Sequence, residues 1–190
     1  MDQYEVTFAG FGGQGVLTAG QLLAYAGIEE GKQVTWLPSY GPEMRGGTAY
    51  CTVVISDKRI GSPIISNPTC VCVFNRPSFD KFVPQVKAGG LSIVNSSLID
   101  VTTSRTDIKE LLIPANDIAM KAGNAKAANT VILGAFVGAS GVIDLETVRH
   151  VVEKKLSKKK EVLQVNMACL EVGYKAAREL MKKSKTRGKA

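Results

Sequence analysis

Val6-Thr7-Phe8-Ala9-Gly10-Phe11-Gly12-Gly13-Gln14-Gly15-Val16-Leu17 runs from an apolar segment through a glycine turn into a helical pattern. A short apolar run broken by glycine reads as a buried strand, and the pattern after it as a helix packed on the sheet. That order aims backbone N–H groups of the turn and of the helix N-terminus at one point, where the helix dipole adds its partial positive charge. The expected product is a corner that faces an anion, a phosphate or a carboxylate. The spacing Gly10-x-Gly12-x-x-Gly15 also fits the dinucleotide fingerprint.

The rest of that fingerprint is missing. A site for NAD or FAD needs an acid about 20 residues on, at the end of the second strand, to hold the ribose hydroxyls. Here that strand ends Thr35-Trp36-Leu37-Pro38, and Glu43 comes too late, in another loop. Neither a Gly-x-Ser-x-Gly elbow nor a Walker lysine is present. The single histidine, His150, lies in a helical stretch with no serine or cysteine partner, which argues against a triad. None of the four cysteines makes a Cys-x-x-Cys pair, and Cys70 and Cys72 fall in a strand pattern where cysteine packs as a small apolar residue. Metal binding by this chain is not expected.

The chain has 190 residues, 45% hydrophobic and 22% charged, the profile of one ordinary globular domain, so residues 1–190 are read as a single domain. No apolar run is long enough to span a membrane, and Met1-Asp2-Gln3-Tyr4-Glu5 has no basic leader, so a cytoplasmic location is expected. The net charge of +7 is unevenly placed: residues 154–190 carry 12 Lys/Arg against 3 Glu. With Tyr174 as the only aromatic residue there, this reads as a solvated helix face with a frayed tail from about residue 183 rather than a nucleic-acid surface.

Strands are expected at about residues 4–9, 33–37, 48–56, 71–74, 91–95 and 107–113, with a short extended piece at 60–65. Helices are expected at about 13–30, 77–86, 117–122, 127–139, 145–154 and 159–183, with Pro114 opening the third as a first-turn proline. The fold class is therefore α/β, a three-layer Rossmann-like sandwich with a mostly parallel sheet and a helical C-terminal part. The third strand follows its loop with no helix between, so part of the sheet is expected to be antiparallel. Gly134 and Gly138, with Ala135 and Ala139, line one helix with small residues, which suits either core packing or a contact between subunits.

No self-contained active site is visible; a further candidate is a subunit that completes an active site made mainly by other chains, and two loops support it. The turn at Gly12, Gly13, Gln14 and Gly15 follows the first strand, and residues 40–47 follow the second. In an open α/β sheet such loops share the edge that lines the ligand crevice. Arg45, between Met44 and Gly46-Gly47, either presents a guanidinium fork to an anion or is an exposed turn arginine.

Four segments in order carry a resemblance. Gly10-Phe11-Gly12-Gly13-Gln14-Gly15-Val16-Leu17, Ser39-Tyr40-Gly41-Pro42-Glu43-Met44-Arg45-Gly46-Gly47-Thr48-Ala49, and Ile60-Gly61-Ser62-Pro63 before Pro68 and an apolar strand are three of them. The fourth is Gly123-Asn124-Ala125-Lys126-Ala127-Ala128-Asn129-Thr130-Val131-Ile132-Leu133-Gly134. Together they resemble the gamma component of the 2-oxoacid:ferredoxin oxidoreductases, in the version closest to enzymes acting on 2-oxoglutarate or branched-chain 2-oxoacids.

The resemblance implies a complex that oxidatively decarboxylates a 2-oxoacid to acyl-CoA and carbon dioxide, with ferredoxin as electron acceptor. Alpha and beta chains hold thiamine diphosphate with Mg, and a ferredoxin-like chain or domain carries Fe-S clusters. The gamma chain packs against them near the coenzyme A side of the site and binds no cofactor alone. The implied roles are an anion-facing corner from Gly12, Gly13, Gln14 and Gly15, a charge from Arg45 oriented by Glu43, close approach at Gly46 and Gly47, and a tie to the glycine loop from Asn129. A face built for partners can also pair two copies of the isolated chain. The alternative is a stand-alone Rossmann-like nucleotide-binding or regulatory domain.

Overall fold

The computed structural model describes residues 3–39, 48–157 and 160–187, with side chains up to residue 183. The strands β1 (Tyr4–Phe11), β2 (Gln33–Ser39), β3 (Thr48–Ser56), β4 (Cys70–Val73), β5 (Leu91–Asn95) and β6 (Lys109–Ile113) form one sheet in the order β2-β3-β1-β4-β5-β6. β3 runs antiparallel to both of its neighbours, while β1, β4, β5 and β6 pair in parallel. The antiparallel element thus lies where the missing helix put it.

Helices cover both faces. α1 (Val16–Glu29), α4 (Ala128–Ser140), α5 (Leu145–Leu156) and α6 (Lys160–Arg187) build one layer; α2 (Arg76–Phe82), with the 3₁₀ turn Val83–Gln85, covers the other face. A short α3 (Ala115–Lys121) follows β6. The two cores follow the period of two along each strand. From β1, Val6 and Phe8 join the first core and Ala9 the second; from β4, Cys70 and Cys72 join the first and Val71 and Val73 the second. β4 is apolar at every position because both of its sides are buried. At the sheet edge, β6 sends only Leu111 and Ile113 inward, so its Lys109-Glu110 pair costs little.

The small-residue stripe on α4 is used within the chain. A Cβ at Gly134 would overlap the Leu170 carbonyl, one at Gly138 would press on the Tyr174 carbonyl, and one at Gly173 would overlap the Val131 carbonyl. The backbones of α4 and α6 therefore cross nearly in contact, which is the core-packing reading of these glycines. Below the crossing, the Phe136 ring meets the rings of Tyr4 and Phe8 edge-on, each at 5.9 Å between centroids.

Several boundaries differ from expectation. β1 continues to Phe11, and α1 begins only at Val16, because Gly13 and Gly15 have φ of 93° and 75°, outside helical geometry. α2 starts at Arg76, capped by Asn75, whose side chain accepts from the Ser78 N–H at 2.9 Å. Pro114 precedes α3 as its cap rather than lying in its first turn, so that helix starts at Ala115. Residues 60–65 form no strand.

Candidate functional site: a glycine corner at the edge of the sheet

β1 and β4 are parallel neighbours. From β1 the chain leaves through α1 on one face, and from β4 through α2 on the other. A crevice opens where connections part in this way, outside the C-terminal ends of the strands. Phe11 ends β1 opposite Thr48, and Ser39 ends β2 opposite Tyr50. The end of β2 and the start of β3 therefore lie at the edge that carries the glycine turn. Segment 40–47, with Glu43, Arg45, Gly46 and Gly47, lies outside the described residues.

Gly12, Gly13, Gln14 and Gly15 form a tight corner. Gly15 caps α1 in the left-handed region without a side-chain hydrogen bond, so the first-turn N–H groups of α1 have no side-chain acceptor from the cap. Gln14 shapes the turn from inside. Its N–H donates to the Phe11 carbonyl at 3.1 Å, and its Oε1 accepts from the Phe11 N–H at 2.6 Å and from Asn75 Nδ2 at 3.1 Å. Asn129, in the first turn of α4, is buried, and its Nδ2 donates to the Gly15 carbonyl at 3.2 Å. Of the residues expected at the site, Gly12, Gly13, Gln14, Gly15 and Asn129 thus come together.

Three clefts adjoin the corner. One of about 330 Å³ lies against Gly12, Gly13 and Gly15 on the β3 side, beside Ala49. One of about 180 Å³ lies on the other side, lined by Gly13, Gln14, Phe74, Asn116 and Lys126. The largest, about 680 Å³, runs between α1 and the start of α4 past Tyr25, Lys126, Asn129, Lys155 and Asn166. No described residue lining any of the three is an aspartate or glutamate. The cations Lys126 and Lys155 lie on their rims, with Lys155 Nζ 3.7 Å from the centre of the Tyr25 ring.

The cysteines and the histidine offer no exposed thiolate or imidazole at the corner. Cys51, Cys70, Cys72 and Cys169 are fully buried. Burial pushes the Cys51 thiol up to about 12 and raises those of Cys72 and Cys169, which suppresses the thiolate. His150 is exposed on α5, 3.9 Å from Glu29, away from the corner. Among the described residues, no group of three or more His, Cys, Asp or Glu could hold a metal ion. No described helix is long and apolar enough to cross a membrane.

Asn75, Asn116 and Lys126 were not legible as site residues. Asn75 carries a signal, since asparagine just before a proline-containing helix start is a common cap. Lys126 lies inside one of the quoted segments, but its place between two clefts depends on the turn Ala125–Ala127 that aims it.

Residues 5–176 match the family model for pyruvate ferredoxin/flavodoxin oxidoreductase. The chain is 41% identical over 179 residues to the ketoisovalerate oxidoreductase subunit VorA of Methanothermobacter thermautotrophicus, covering 93% of this chain and 37% of VorA. It therefore spans a little over a third of that relative's length. The crystal structure of the gamma subunit of a keto/oxoacid ferredoxin oxidoreductase from Geobacter sulfurreducens PCA is 30% identical with a TM-score of 0.80, covering 92% of this chain and 98% of that one. The fold also recurs, at a TM-score of 0.86 and 23% identity, in the 2-oxoglutarate:ferredoxin oxidoreductase of Magnetococcus marinus, solved with 2-oxoglutarate, coenzyme A and succinyl-CoA; that match covers 94% of this chain and 32% of the other. With a family match across most of its length and the fold of a gamma subunit, the chain belongs to the pyruvate ferredoxin/flavodoxin oxidoreductase family as a gamma-type component.

Proposed function

We propose that this chain acts, as one domain, as the gamma component of a complex that oxidatively decarboxylates a 2-oxoacid. The products are acyl-CoA and carbon dioxide, and the electrons pass to ferredoxin. The likeness to VorA favours a branched-chain 2-oxoacid. Alpha and beta chains supply thiamine diphosphate and its Mg ion, and a ferredoxin-like chain or domain supplies the Fe-S clusters. This chain supplies part of the wall around coenzyme A, a ligand that the Magnetococcus marinus enzyme was solved with.

The carrying observation is the glycine corner at the start of α1, uncapped by any side chain and set in a crevice whose described lining has no carboxylate. The residues fit a phosphate-bearing ligand: N–H groups of Gly12, Gly13 and Gly15 face it, Gln14 sets the turn and Asn129 holds the turn to α4. Arg45 adds charge, Glu43 orients it, and Gly46 and Gly47 let a neighbouring surface come close.

The test is purification of the tagged chain, anaerobically, from its own cells. The eluate is assayed for reduction of an artificial electron acceptor with pyruvate, 2-oxoglutarate and branched-chain 2-oxoacids. The expected result is co-purified partner chains and an activity that needs both coenzyme A and a branched-chain acid. An intact chain that emerges alone and inactive refutes the reading.

A further inference from the structure

Two chains of side-chain amides end at the small cleft between Gly13 and the start of α4, and their orientations are set by backbone groups. In the first, the Ser78 N–H donates to Asn75 Oδ1, so Asn75 turns its Nδ2 to Gln14 Oε1. The Phe11 N–H donates to that same oxygen. Gln14 therefore presents Nε2 on the cleft side, where among the described residues it donates only to the Phe74 carbonyl, at a long 3.5 Å. In the second, the Ala115 N–H donates to Asn95 Oδ1 at 3.2 Å, and Asn95 Nδ2 donates to Asn116 Oδ1 at 2.8 Å. Asn116 is left with its Nδ2 unused among the described residues.

Both relays thus deliver an NH₂ group to a cleft whose third polar side chain is the Lys126 ammonium. Lys126 makes no ion pair with any described residue. The side-chain donors with bonding capacity left at this cleft are the Lys126 ammonium and the Gln14 and Asn116 amides, and no acid lines it. A cation and two amide donors with no carboxylate opposite them favour an anion. The cleft holds about 180 Å³, below the roughly 300 Å³ at which pockets for whole small molecules begin. It takes a charged group and not a complete ligand. Lys126 also borders the 680 Å³ groove, which has room for the remainder.

We infer that Lys126, Asn116 and Gln14 recognise a phosphate of the nucleotide end of coenzyme A, with the adenosine lying toward the groove beside Tyr25. This assignment rests on the coenzyme A reading above. It places the selective cation on the 3₁₀ turn before α4, within the described residues, in addition to any contribution from Arg45.

The test uses the assembled complex with Lys126→Gln and Asn116→Asp. Asn116→Asp keeps the acceptor for Asn95 and replaces the donor facing the cleft by a negative oxygen. KM is measured for coenzyme A and for the 2-oxoacid, together with competitive inhibition by adenosine 3′,5′-bisphosphate, the thiol-free fragment of coenzyme A. Lys126→Gln should raise both KM for coenzyme A and Ki for the fragment by about ten- to a hundredfold, the effect of removing one charge-assisted hydrogen bond. Asn116→Asp should raise both further, and Lys126→Arg should restore most of the loss, with KM for the 2-oxoacid unmoved throughout. Constants for coenzyme A and the fragment that do not respond overturn the assignment while leaving the coenzyme A reading standing. Loss of the partner chains from Lys126→Gln also overturns it, because the cleft would then hold a carboxylate of a partner. A complex that turns over without coenzyme A removes both readings.

Discussion

Asn129 Nδ2 donates to the Gly15 carbonyl at 3.2 Å and so joins residues 114 positions apart. The bond fixes the glycine corner against α4, which itself is locked to α6. Gly15 cannot carry a side chain there, both because its φ is 75° and because a Cβ would strike the Asn129 amide. Removing the donor by Asn129→Ala is expected to cost about 1 kcal/mol, the net value of one hydrogen bond. Asn129→Asp aims an acceptor at a carbonyl and should cost about 2–3 kcal/mol. Urea unfolding and amide exchange at residues 12–16 measure this. Equal losses in the two variants would mean that the amide packs without bonding.

Gly134→Ala and Gly173→Ala set two known effects against each other. Alanine favours a helix interior by about 1 kcal/mol over glycine. At these positions its Cβ would overlap the backbone carbonyls of Leu170 and Val131, which cannot rotate away. Overpacking costs about 1–3 kcal/mol, so net destabilisation is expected in both variants, with lower thermal midpoints. A gain in stability at either position would show that α4 and α6 do not cross this closely.

Arg45→Ala is expected to raise KM for coenzyme A or weaken assembly, while leaving the thermal midpoint of the isolated chain unchanged. Gel filtration of the complex and coenzyme A kinetics separate the two effects. Unchanged assembly together with unchanged kinetics would remove Arg45 from the site.

Glu5 makes the fold acid-sensitive. The carboxylate is buried on the second face of the sheet, and burial alone would raise its pKa. Lys87 at 2.8 Å, Thr69 and Gln3 at 2.8 Å together outweigh burial and hold the pKa below the ordinary 4.5. A depressed folded pKa adds stability above pH 4.5 that is lost as pH falls through the folded value. The unfolding free energy of wild type should therefore fall more between pH 7 and pH 3 than that of Glu5→Gln, which starts lower by about 1–3 kcal/mol at pH 7. Parallel pH profiles would refute the role of the carboxylate.

The frame of the fold was legible because it is written locally. An apolar run, a glycine turn and an amphipathic helix are neighbours in sequence, and the missing helix after residues 40–47 announced the antiparallel β3. The roles of the site amides were not, because each rests on a distant partner. Which way the Gln14 amide faces is fixed only by Asn75, 61 residues on, which donates to its oxygen. Asn116 becomes a donor only because Asn95 occupies its oxygen. The stripe at Gly134 and Gly138 left two readings open until the partner backbone of α6 was in place.

The four thiols test whether this chain holds a cysteine nucleophile. All are fully buried, and burial lifts Cys51 to about 12 and raises Cys72 and Cys169. Only the thiolate attacks a disulfide reagent; at pH 8 it is scarce at Cys51, Cys72 and Cys169, and all four sulfurs are shielded from solvent. In the native chain, a chromogenic aromatic disulfide should therefore modify none of the four within minutes, and all four in denaturant. Slow modification should track global unfolding and speed up in Gly134→Ala. Prompt reaction of one native thiol would reveal an opening near that residue and revive a nucleophile as a candidate for chemistry in this chain.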